Sequence, residues 1–321
     1  MKLKFAHVAL ALSLTAAAAG AQASVIGMAD LNISALILRN AATGVPLSAA
    51  DITITGGDRL SNSLATLNGV TATNQATAGA TGNADAAMQC LGACGNAGVL
   101  AAYASGGGLS ENHTTHIANP IVPAVNYALG DSSISGNAIS GGAAGFTRAN
   151  AQVAGPDNAA NANGNLLNNV TAITSFAANT TVVADFLAVY DAFVRTEIDA
   201  QHYGVAGVSS SSASNQFTLT VFDETTGDYL VMGSGGNTTW QPADLNRSAT
   251  TSTANNGSSK QIQSAGAADS NDVTLMAGHN YTLTIAQNST VSIKSVPEPT
   301  SVALFGLALL GLGFARRRKS L

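Results

Sequence analysis

Charge is scarce in this chain: 10% of its 321 residues are charged, where about 25% is usual. Cations are scarcer still. Six of the 13 Lys and Arg residues lie near the termini (Lys2, Lys4, Arg316, Arg317, Arg318 and Lys319), so the rest of the chain sets 7 cations against the 18 acids, a net of −11. A body so acidic has no basic stripe with which to track phosphates, which argues against nucleic acid as a partner. Aromatic residues make up 5%, with one Trp, Trp240, whereas sugar-cleaving sites commonly stack several rings. Only three Glu precede Pro297, so the carboxylate pairs that could cleave a glycoside reduce to Asp185 with Asp191 and Asp223 with Glu224. Two cysteines, Cys90 and Cys94, are too few for a structural zinc site of about four ligands when no His lies close in sequence.

What the chain has in quantity is small residues: 33 Gly, with Ala, Asn, Ser and Thr throughout. Such side chains bury little area each, so a core must come from segments rich in Val, Leu, Ile, Phe and Tyr. The clearest is 182–200, VVADFLAVYDAFVRTEIDA. Its even positions are apolar or small, whereas Asp185, Asp191, Arg195, Glu197 and Asp199 are all odd. A period of two predicts a long half-buried strand, or two strands with a bend. Residues 215–223 and 227–233 read as strands flanking a short loop at Glu224-Thr225-Thr226. Residues 272–278, 280–287 and 289–296 follow, with turns expected at Gly278-His279-Asn280 and at Gln287-Asn288. Residues 35–40 and 51–58 are strand-like too.

The fold class expected is therefore all-β, an antiparallel sandwich or jelly-roll-like body. Its long Ala/Gly/Asn-rich loops are expected at 61–110, 131–170 and 243–272, with β-solenoid faces as the alternative for the first two. No fixed period of roughly 20 to 50 residues supports a solenoid. The body, 24–295, reads as one unit or as a loop-rich part, 24–170, and a sandwich part, 171–295.

Chemical motifs are thin. Cys90 and Cys94, in MQCLGACGN, suit a local disulfide in an oxidising compartment. Glu111, His113 and His116 lack the Glu between two His at helical spacing that zinc proteases use, and read as polar loop residues. His202 and His279 lie far away in sequence. No Gly-x-Ser-x-Gly elbow occurs. Oxygen-rich stretches such as GDSSISGN (130–137) could ligate Ca2+, but the EF-hand spacing is absent and no residue set places an ion. No cofactor is expected.

The ends are more explicit. Lys2 and Lys4 precede an apolar run from Phe5 to Gly20, and Ala21 and Ala23 stand three and one positions before Ser24. That order is a secretory signal peptide over 1–23, with cleavage at Ser24. At the other end, SVPEPTSVALFGLALLGLGFARRRKSL joins Val296-Pro297-Glu298-Pro299 to an apolar stretch, 300–315, and then to Arg316, Arg317, Arg318 and Lys319. As a transmembrane helix 300–315 would span about 24 Å, short for a hydrocarbon core of roughly 30 Å, with its cations on the cytoplasmic side. The prolines hold the entry extended.

These three elements, in this order, resemble the PEP-CTERM sorting signal of Gram-negative bacteria that make extracellular polysaccharide. The resemblance covers 296–321. It implies recognition by exosortase, cleavage near Pro297-Glu298-Pro299, a transient stay in the inner membrane, and release to the cell surface or matrix. The function expected is a non-enzymatic structural or adhesive component that associates with exopolysaccharide in biofilm or floc. The alternatives are an exported hydrolase acting on polysaccharide or peptide, and a calcium- or sugar-binding module.

Overall fold

A computed structural model describes residues 24–93, 126–154, 159–166, 172–198, 209–252 and 259–295, with the backbone alone at 154 and 159–166. The signal-peptide helix expected over 1–23 and the membrane helix expected over 300–315 lie outside the described residues. Among the described residues no helix is long and apolar enough to cross a membrane.

The described residues form two antiparallel sheets. The first contains β1 (Ser24–Asn40), β4 (Ala84–Gly92), β5 (Tyr127–Asn137), β6 (Gly142–Ala154), β9 (Val182–Ile198), β13 (Ser259–Asp269) and β14 (Val273–Leu275). Its order is β13-β9-β1-β6-β5-β4, with β14 continuing the edge beside β9. The second contains β2 (Ile52–Leu67), β3 (Val70–Gly79), β7 (Ala159–Leu166), β8 (Ala172–Ala178), β10 (Ser210–Asp223), β11 (Asp228–Tyr229), β12 (Ser248–Ser252) and β15 (Asn280–Lys294). Its order is β11-β10-β15-β7-β2-β3, with β12 also on β10. β7 and β8 share one slot: both lie between β15 and β2, end to end. The sheets stack as a sandwich, with β5 over β2 and β7, and β1 over β15 and β10. Each sheet combines strands from before and after residue 170, with β9 meeting β1 in the first and β15 meeting β7 in the second.

Local chemistry explains the elements. β9 is one 17-residue strand, and its even positions, Val182 to Ile198, are all buried, as a period of two requires. β2 and β3 meet at Asn68-Gly69, with φ of 51° and 81°, the left-handed pair that a two-residue hairpin favours. Arg59 on β2 is buried and donates to the carbonyls of Ala80 (2.5 Å) and Gly82 (2.9 Å), which ties the turn after β3 to the sheet.

The interior has two apolar clusters. One is rich in large side chains, including Phe176, Phe186, Phe217, Tyr281 and Trp240. The other is mostly Ala and Val, including Ala29, Ala65, Ala149, Ala213, Val291 and Ile293. Buried polar side chains lie among them and join the sheets. Gln287 Nε2 donates to Leu31 O (2.7 Å) and Thr147 Oγ1 (3.2 Å). Thr147 Oγ1 lies 2.8 Å from Ser289 Oγ, which donates to Asn215 Oδ1 at 2.8 Å. Asn215 Nδ2 in turn donates to Asp30 O (2.8 Å) and Phe193 O (3.1 Å). This chain crosses between the sheets several times and satisfies groups that would be costly to bury alone.

Several expectations need correction. The turn at Gln287-Asn288 does not form: β15 runs unbroken through it, because Gln287 and Ser289 keep the inward alternation and find partners inside. The loops expected within 61–110 and 131–170 are largely strand among the described residues, namely β2 to β7. Residues 130–137, weighed as a Ca2+ loop, belong to β5. The loop expected over 243–272 holds β12 and β13. In each case some inward positions are small or polar, so the alternation exists but its hydrophobic amplitude is lowered there. Ser61, Ser63 and Ala65 are the inward face of β2.

Candidate functional site

The carboxylate pairs do not converge. Asp185 and Asp191 share a face of β9 but are six residues apart, about 20 Å at ~3.3 Å per residue, while glycosidase pairs sit roughly 5 to 9.5 Å apart. Asp185 is held by Arg39, whose Nε and Nη2 donate to it at 2.8–3.2 Å while Nη2 also reaches Asp269 at 2.8 Å. These partners raise the Arg39 guanidinium above its ordinary value, chiefly through the Asp185 hydrogen bond. Asp223 and Glu224 fall at the end of β10, one buried and the other exposed.

Asp223 does acquire a partner that the sequence did not announce. His279 Nδ1 lies 2.8 Å from Asp223 Oδ2, and the amides of Thr225 and Thr226 donate to Oδ1 at 2.9 and 3.2 Å. Burial alone pushes this carboxyl up, but His279 and the two amides outweigh it and hold the group below the usual carboxylate range. Tyr281 lies near, its phenol pushed up by burial and accepting from the Met276 amide at 2.8 Å. The backbone on both sides of the cluster is tied: Thr225 Oγ1 accepts from the Asn280 amide. The arrangement clamps the β10 turn to the start of β15.

Trp240 is 4% exposed and packs edge-on against Phe217, with ring centroids 5.7 Å apart. It lines a recess of about 400 Å3 together with Asn237 and Asn271, and belongs to the aromatic core cluster. Among the described residues, no group of three His, Cys, Asp or Glu side chains could hold a metal ion. Cys90 is disulfide-bonded, and Cys94 lies outside the described residues. So do Glu111, His113, His116 and His202, as well as Ala21, Ala23, Val296, Pro297, Glu298, Pro299, Arg316, Arg317, Arg318 and Lys319. Ser24 opens β1.

The two outer faces differ. That of the first sheet is buried at one end, where Ile26, Met28, Tyr127, Leu129 and Phe193 form a third apolar cluster. Beside it Arg148 Nε donates to Asp30 Oδ1 at 3.1 Å, with both side chains 1% exposed. Arg148 also lies 5.2 Å over the Phe146 ring. The signal was in β1, where 25–29 read Val-Ile-Gly-Met-Ala without a polar alternate, the pattern of a strand buried on both faces.

The outer face of the second sheet is open and uncharged over its middle. Pairing registers put Gln216 beside Asn288, Asn288 beside Asn165, Asn165 beside Asn62, and Asn62 beside Gln75. Five amide residues on five adjacent strands thus share one row. The next rows are Ser214, Thr290, Asn163, Leu64, Thr73 and Ser212, Ser292, Asn161, Thr66, Thr71. No charged residue occurs in these three rows.

Comparison with known proteins adds one finding. Residues 295–319 match the PEP-CTERM protein-sorting motif. The motif supports an exported protein processed by exosortase, anchored transiently in the membrane and then released. No curated protein and no solved structure matches the chain.

Proposed function

We propose that this chain is a structural or adhesive component of the cell surface or extracellular matrix, without enzymatic activity, that associates with exopolysaccharide in biofilm or floc. The sorting motif at 295–319 carries the reading. The cationic, apolar start with Ala21 and Ala23 before Ser24 supports export, and Pro297-Glu298-Pro299 is the segment exosortase reads. Arg316, Arg317, Arg318 and Lys319 hold the last residues in the cytoplasm until cleavage. The body supports the non-enzymatic part of the reading. Of its weighed carboxylates, Asp185 and Asp191 are separated along β9, and Asp223 serves as a structural clamp with His279.

Intact-mass measurement of the protein recovered from the cell surface tests the proposal, with and without a working exosortase. Loss of 300–321 only when exosortase works is the expected result. A surface form that still carried those residues would overturn it. Glu298→Ala is expected to block processing. Hydrolysis of polysaccharide or peptide that disappeared on changing Asp223 or Glu224 would replace this reading with the enzymatic one.

A further inference from the structure

The amide row on the second sheet differs from its neighbours in how its hydrogen-bonding capacity is used. In the flanking rows hydroxyls bond across strands: Ser214 Oγ lies 2.7 Å from Thr290 Oγ1, and Thr66 Oγ1 lies 3.0 Å from Thr71 Oγ1. The side chains of Gln216, Asn288, Asn62 and Gln75 make no such bond among the described residues. Asn288 Oδ1 is shielded from water and has no hydrogen-bond partner. That oxygen is out of a ligand's reach, but Gln216 and Gln75 are exposed and Asn62 is half-buried, so their unbonded amides keep donors and acceptors free toward solvent.

We propose that this face binds an extended, uncharged polysaccharide strand laid across the β-strands along the row Gln216–Asn288–Asn165–Asn62–Gln75. The amides of Gln216, Asn62 and Gln75 offer both donors and an acceptor, which is what a hydroxyl-bearing polymer requires of a surface. The three rows contain no cation to meet a carboxylate or sulfate, so an acidic polymer would lose hydration there without compensation. A peptide strand would be recognised at a sheet edge, where backbone groups are free, rather than on a face. Strand spacing of about 4.8 Å gives the row a length of about 19 Å, the scale of a short oligosaccharide with one sugar unit per strand. Leu64 and the threonine methyls in the adjoining rows supply flat apolar contact for the C–H faces of the sugars. Each contact is weak, so binding should grow with polymer length and depend on several residues at once.

The inference rests on the surface location proposed above only for where such a polymer is met. Its test is affinity electrophoresis of the protein recovered from the cell surface, in native gels containing hydroxyethyl cellulose, dextran or alginate. Retardation by hydroxyethyl cellulose, less by the flexible dextran and none by alginate, is expected. The triple variant Gln216→Ala, Asn62→Ala, Gln75→Ala should weaken binding about tenfold, since several weak hydrogen bonds are lost together. Its circular dichroism and thermal midpoint should stay those of the parent. If that variant proved unstable, Gln75→Glu, which places a charge at the exposed end of the row, should weaken binding by itself. The inference is overturned if no neutral glucan retards the protein, if alginate retards it as strongly, or if the folded variants run like the parent. It is also overturned if the variants instead abolish self-association in sedimentation, which would assign the face to a second copy. None of these outcomes bears on the mass test of sorting, and failure of that test would leave this one intact.

Discussion

The two apolar clusters of the sandwich solve the same packing problem with different means. In the one around Phe176, Phe217 and Tyr281, large side chains fill the space between the sheets, with Phe176 and Tyr281 stacked at 5.3 Å. In the one around Ala29, Ala149 and Val291, small side chains leave little to interdigitate, and the sheets come close instead. Gly27 shows how close: a Cβ there would stand 2.6 Å from Val291 Cγ1 and 2.9 Å from Ile293 Cγ2. Hydrogen bonds across the gap complete that half, as from Ser211 Oγ to Ile26 O at 2.6 Å. A chain poor in large apolar residues can therefore build a buried interior, provided that its sheets approach closely and its inward polar groups find partners.

Substitutions can break this contrast. Phe176→Ala, in the aromatic half, should cost most, about 3–5 kcal/mol, because a large cavity is left. Gly27→Ala should cost about 1–3 kcal/mol by overpacking, an effect peculiar to the alanine-rich half; an unchanged denaturation midpoint would refute the close approach. Asn215→Ala, in the polar chain, should cost about 1–3 kcal/mol, since Ser289 and two carbonyls lose their partner. A double-mutant cycle of Thr147→Val with Ser289→Ala should reveal coupling between the two sheets. Ile293→Val should cost only about 0.5–1.5 kcal/mol.

The smallest effect is expected from pH. The Asp223 carboxyl is depressed in the folded state, so its contribution is present above its ordinary value of about 3.9. That contribution is lost as pH falls from there through the depressed value. Asp223→Asn should remove this part of the acid dependence, read from thermal midpoints between roughly pH 5 and 2.

Legibility followed hydrophobic amplitude. β9 was plain, because Phe186, Tyr190 and Val194 alternate with Asp185, Asp191 and Arg195. β2, β5 and β6 were not, because Ser61, Ser132 and Thr147 face inward, and a hydroxyl at a core position looks like a loop residue until its partner is known. The same reason hid the continuity of β15 at Gln287. The Asp223–His279 contact was invisible, since 56 residues separate the pair and only the pairing of β10 with β15 brings them together.

The local order of residues was sufficient for whatever is read locally. Pro297-Glu298-Pro299, the apolar stretch and the terminal cations form a sorting motif without reference to the rest of the chain, and the alternation in β9 implies a strand by itself. Long-range register decided the remainder. Gln216, Asn288, Asn165, Asn62 and Gln75 come from five separate segments, and only antiparallel pairing puts them in one row. A one-residue slip in any strand would turn its member of that row to the opposite face.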